Sequence, residues 1–187
     1  GVFGVEAETG KFLWGYNRVA NGTANITTPV ISGDYVFAST QYNTGSALLK
    51  LSRDGKGVKA EEVWWLDKDQ FQNHHGGVLL VDGHLYGGTN KNGGPPTCIE
   101  MTTGKIVWQK QAPAKGSAAY LHADGRFIVR YDSGPVTLVE ASPQGHKIVS
   151  TFTPPKGKGP AWPHPVIHKG KLYLRHGDIL LCYNIKG

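Results

Sequence analysis

The chain has 187 residues, enough for a sizeable core, and 26 glycines and 11 prolines are spread among apolar and aromatic residues along its whole length. No apolar run reaches the length of a membrane-spanning helix, and the formal charge of +6 is scattered. Its densest basic spot, Lys156-Gly157-Lys158, lies in a Pro/Gly loop, so neither a membrane span nor a nucleic-acid partner is expected.

The chain opens on Gly1-Val2-Phe3-Gly4-Val5 with no initiator Met or leader, and is read as a mature or truncated product. A strand-like run at 3–7 leads into Thr9-Gly10-Lys11-Phe12-Leu13-Trp14, which returns as Thr103-Gly104-Lys105-Ile106-Val107-Trp108 after a similar run at 97–101. Between and beyond the copies come four hairpin patterns, each two apolar runs around a glycine turn. Their glycines are Gly33, Gly83, Gly125 and Gly170, 42 to 50 residues apart, and two of the turns are Asp-Gly, which tolerates the positive φ of tight hairpins. A third run follows each hairpin, at 47–51, 97–101, 136–141 and 179–183. A fourth follows the first three of these, at 62–66, 105–109 and 146–152, across turns that have decayed to Arg53-Asp54-Gly55 and Ser142-Pro143-Gln144-Gly145 in two cases. No 3.6-residue periodicity is sustained, so almost no helix is expected. Cys98 and Cys182, far apart on strand-like runs, are expected to be buried small hydrophobes.

A helix-free unit of four strands repeating about every 45 residues predicts an all-β fold, a β-propeller of four-stranded antiparallel blades. Trp14 and Trp108 recur at blade spacing, so they read as packing residues between blades rather than as a cofactor platform. The Thr-Gly-Lys-x-x-Trp units resemble the tryptophan-docking repeats of the PQQ-like (quinoprotein alcohol dehydrogenase-like) propellers. The likeness runs through the whole chain and is nearest to the secreted members found in planctomycete-type bacteria, which implies a periplasmic or secreted protein of the bacterial cell envelope. One partial propeller is expected over 1–187: the end of a blade at 1–16, full blades at 29–66, 77–109 and 119–152, and a last blade at 164–187 lacking its outer strand. About four blades are thus present, of the seven or eight that the resemblance implies. The chain is accordingly expected to be the C-terminal half of a larger propeller, whose remaining half, or another chain, completes the ring.

With strands A to D named from the channel outward, the D–A loops (15–28, 67–77, 110–118, 153–164) and the B–C loops (41–46, 90–96, 131–134, 176–178) open on one face. They would gather Asn73, His74, His75, Tyr42, Asn43, Tyr131, Trp162 and His164 at the channel mouth, with Asn25, Thr27, Asn90, Asn92, Lys115, Ser117 and His176 beside them. Such a concave polar and aromatic surface is the default ligand site of the fold. Gln72-Asn73-His74-His75-Gly76-Gly77 is the most singular stretch. One of its histidines would point into the channel as ligand, base or metal donor; alternatively both bond loop carbonyls. Adjacent histidines on an extended segment point in opposite directions, so at most one would join His164, and no metal site is expected.

No catalytic motif is present. The leading reading is therefore a non-catalytic binding or scaffold propeller holding a small-molecule, sugar or protein ligand at the mouth, with no cofactor expected. One rival that the resemblance implies is a PQQ-dependent alcohol or sugar dehydrogenase whose cofactor ligands lie partly in the missing half. It would need a calcium held by carboxylate and amide oxygens, for which the mouth loops offer few acids: Asp67, Asp69, Asp132 and Asp178. A third reading is an interaction propeller of cell-envelope assembly.

Overall fold

The computed structural model describes residues 1–55, 57–89 and 94–186. Among them there are seventeen strands and no helix. A two-stranded sheet of β1 (Val2–Val5) and β2 (Phe12–Tyr16) comes first. Three four-stranded antiparallel sheets follow, each in chain order. The first holds β3 (Val30–Ser32), β4 (Tyr35–Thr40), β5 (Gly45–Asp54) and β6 (Gly57–Leu66). The second holds β7 (Val78–Val81), β8 (His84–Gly88), β9 (Pro96–Glu100) and β10 (Ile106–Gln109). The third holds β11 (Ala118–Ala123), β12 (Arg126–Tyr131), β13 (Val136–Ser142) and β14 (Gly145–Phe152). A three-stranded sheet of β15 (Val166–His168), β16 (Lys171–His176) and β17 (Ile179–Asn184) closes the series. These are the stacked blades of a partial β-propeller, as the repeat predicts.

The inner hairpins form where the turn chemistry demands. Asp82-Gly83, Asp124-Gly125 and Lys169-Gly170 each hold two successive positive φ values, the left-handed pair of a two-residue hairpin turn. The strands then alternate their side chains between two cores, because each blade is covered on both faces. Val36 and Ala38 of β4 join the core shared with the first sheet, while Phe37 between them joins the core shared with the next blade. In β9, Cys98 and Ile99 divide between cores in the same way. Cys98 is buried as expected, but Cys182 is exposed, because its place in β17 leaves it outside the core of the last sheet.

The two Thr-Gly-Lys corners are built alike. Thr103 Oγ1 donates to the Glu100 carboxylate at 2.7 Å, and Thr9 donates to Glu6. A glutamate three residues before the threonine is thus part of the motif, a signal the sequence reading passed over. Every pairing between the third and fourth strand carries a bulge at the same place, one extra residue in the outer strand: Leu13, Val63, Val107 and Val149. The bulge defines equivalent positions, and the residues that follow it are Trp14, Trp64, Trp108 and Ser150. Trp64 Nε1 donates to the Met101 carbonyl of the next blade at 2.9 Å, and Trp108 Nε1 to the Ser142 carbonyl at 2.8 Å. Trp64 lies flat over Gly104, where a Cβ would come within 2.7 Å of its ring. Gly104 is therefore the floor on which the preceding blade's indole rests.

The interface between the third full blade and the last sheet is the poorest. Only Val136, Leu172 and Leu174 are buried in its apolar cluster among the described residues, against seven or eight in each of the others. Arg130 of β12 is fully buried, and none of its three guanidinium nitrogens has a hydrogen-bond partner among the described residues. Burial disfavours its charged form. An unpaired buried charge costs more than an apolar group of the same shape, so Arg130→Met is expected to stabilise the fold by about 1–4 kcal/mol. Urea denaturation of the pair checks this, and a fall in stability would contradict it.

Candidate functional site

The loop 67–77 is fixed by Asn73. Its backbone N–H donates to Ser39 Oγ at 2.9 Å, and its amide nitrogen donates to the Gly88 carbonyl at 2.9 Å and to the Gly77 carbonyl at 3.2 Å. Its amide oxygen accepts from Thr27 Oγ1 at 3.0 Å and from the Gly77 N–H at 3.1 Å. Asn73 is 1% exposed and spends its amide on two neighbouring blades, so it positions the loop and does not face a ligand. Next to it Gly76 lies on the following blade: its carbonyl accepts from the Tyr120 N–H, and a Cβ there would overlap the Ala118 carbonyl oxygen. This close approach, followed by Gly77 at φ +73, bends the chain straight after the two histidines.

The bend overturns one expectation. His74 and His75 do not diverge as they would on a strand; their rings touch, with centroids 4.6 Å apart. They are the middle of a string of four rings crossing the mouth. Tyr42 stands 5.5 Å from His74 at one end, and Trp162 stands 5.4 Å from His75 at the other. Tyr42 OH meets His74 Nε2 at 3.0 Å, and Ser117 Oγ meets His74 Nδ1 at 2.7 Å, so this ring is held from two blades. His164 turns its Nε2 to the His75 carbonyl at 2.8 Å and ties the 153–164 loop to the 67–77 loop. The same loop is anchored at its middle, where Asp178 Oδ1 accepts from the Lys158 N–H at 2.9 Å. Trp162, between these two ties, is 53% exposed.

The string lines one side of a recess of about 790 Å³, whose rim carries Lys158 and Arg175 and whose lining includes no carboxylate. Tyr42, His74, His75, Trp162 and His164 are brought together there. Asn43 is not: it is exposed in the turn after β4, and its N–H donates to Gln72 Oε1 at 3.1 Å. Tyr131 is buried in the core between the second and third full blades, and His176 is buried with its Nε2 on the Gly159 carbonyl of the 153–164 loop at 2.6 Å. Asn90 and Asn92 lie outside the described residues. Ile26 and Pro160 complete the recess, apolar residues that the search for polar chemistry passed over.

Both ring nitrogens of His75 are buried without a hydrogen-bond partner among the described residues. Its pKa is pushed down to about 4, first by loss of water around the ring and then by the neighbouring His74, with Asp132 pulling the other way and His164 adding to the fall. A base with a depressed folded pKa resists protonation in the fold. Its contribution to stability is complete above about pH 6.5 and drains away as pH falls towards about 4. His146, lowered by burial, acts in the same direction. Urea midpoints measured across this window should fall with pH, and His75→Phe, which keeps the ring contacts, should flatten part of the slope. An unchanged slope in that variant would contradict the assignment.

Among the described residues no three His, Cys, Asp or Glu side chains converge as metal ligands, and the recess beside Trp162 offers cations and rings where a calcium needs oxygens.

The comparisons with known proteins agree with the fold. The model of a PQQ-like repeat family, described as outer membrane protein assembly factor BamB, matches residues 1–110. The crystal structure of BamB from Moraxella catarrhalis superposes with a TM-score of 0.65 at 14% identity, over 96% of this chain and 50% of that one. The chain thus spans half the length of that structure. No curated protein matches it.

Proposed function

The chain belongs to the PQQ-like repeat family whose model covers residues 1–110, and on that footing we propose that it is a binding propeller of the cell envelope, holding a segment of a partner protein across its channel mouth. The observation that carries this reading is the string Tyr42–His74–His75–Trp162, which ends on a tryptophan more than half exposed. Protein interfaces concentrate their energy in such aromatic anchors, and Arg175 at the rim favours a neutral or acidic segment, while Lys158 is paired with Asp178 at 3.7 Å. The likeness to an assembly factor supports a protein partner over a small molecule.

A photo-crosslinking residue placed at Trp162 in the full-length protein, irradiated in cells, tests the reading. Crosslinks to another polypeptide are expected at 162, and none at Val63, exposed on the outer strand β6. No crosslink at 162 would overturn the proposal. Dye-linked alcohol oxidation after adding PQQ and calcium would overturn it too, in favour of an oxidoreductase.

A further inference from the structure

The bulge places one residue of each outer strand against the next blade. Three of the four are tryptophans, Trp14, Trp64 and Trp108, and the fourth is Ser150. Where Ser150 stands, the interface opens into a cleft of about 300 Å³. Its walls include Leu138 and Phe152 on one blade and Ile167, Leu172 and Ile185 on the other, and Asp124 and Arg126 also line it. Apolar cavities of about 150 Å³ already accept a benzene ring.

The acceptor that would orient an indole is also in place. Ile185 donates its N–H to the Gly170 carbonyl at 3.0 Å, as Met101 does to the Gly83 carbonyl at 3.0 Å, so the two residues hold the same position at the corner of their blades. Met101 is the residue whose carbonyl receives the indole N–H of Trp64. The Ile185 carbonyl therefore stands where a fourth indole would donate.

We propose that this cleft is a docking site for a tryptophan side chain presented by a partner polypeptide. The occupant follows from the chain itself, which fills the equivalent space at its other interfaces with indole and leaves it open here. Phenylalanine would fill part of the volume but has no N–H for the Ile185 carbonyl. The site is independent of the channel mouth.

The test uses N-acetyl-tryptophanamide with the full-length protein, followed by calorimetry and by methyl NMR. Saturable binding is expected, with shifts at Ile167, Leu172 and Ile185 and weaker binding of N-acetyl-phenylalaninamide. Ser150→Trp should fill the cleft, raise Tm and abolish binding. Trp108→Ala should open a second cleft and raise the stoichiometry from one to two. Absence of saturable binding to the unsubstituted protein, methyl shifts confined to other regions, or binding that Ser150→Trp leaves unchanged would each overturn the proposal. The methyl shifts decide the matter even if a variant does not fold.

Discussion

Replacing Trp64 by alanine is expected to cost the full-length protein about 3 kcal/mol, the lower end of the range for removing a large aromatic from a core. The low end applies because Trp64 is half-buried. It touches Phe37 of its own blade at 5.9 Å between ring centroids, and it roofs Gly104 and donates to the Met101 carbonyl of the next blade at 2.9 Å, so its loss strips one contact within a blade and two between blades. Trp64→Phe keeps most of the apolar area and loses only the hydrogen bond, about 1 kcal/mol. Val63→Ala, at the neighbouring bulge and 44% exposed, should stay within about 0.5 kcal/mol of the parent. Urea denaturation gives the order, and a Trp64→Ala protein as stable as Val63→Ala would remove the indole from its role.

Gly76→Ala is expected to cost about 3 kcal/mol, because its Cβ would strike the Ala118 carbonyl, which is backbone and cannot rotate away. The damage should spread to the mouth. Gly76 sets the bend that brings His74 against His75, and pushing it off the next blade also strains the contact between His74 Nδ1 and Ser117. Gly22→Ala is the natural control: a Cβ there meets nothing within 4 Å, so the change should be neutral or slightly stabilising. Equal stability of the two variants would contradict the packing described for the loop.

The repeat made the blades legible before any coordinate was known, since turn glycines and alternating apolar runs act locally. Trp64 escaped notice for a physical reason. Strands β5 and β6 run ten residues each, and their added length moves the tryptophan away from its turn glycine, so the motif's spacing is lost while its register survives. At the mouth, five of the residues named from the loops line one recess and others do not. Tyr131 lies at a strand end, where a single step of phase decides between channel and interface, and it went inward. The contact of His74 with His75 depends on a bend made by the following glycines and on a backbone carbonyl from another blade, which no local pattern reveals. The cleft at Ser150 became visible only when the bulges aligned the four outer strands.

Carbene footprinting of the full-length protein, first in intact cell envelopes and then after purification, tests the central claim most directly. If the mouth holds a partner, Tyr42, His75 and Trp162 should be labelled several-fold less in the envelope than in the purified protein, while Val63 and Ile31 on exposed strand surfaces remain unchanged. Labelling of Trp162 that is the same in both states would contradict the account.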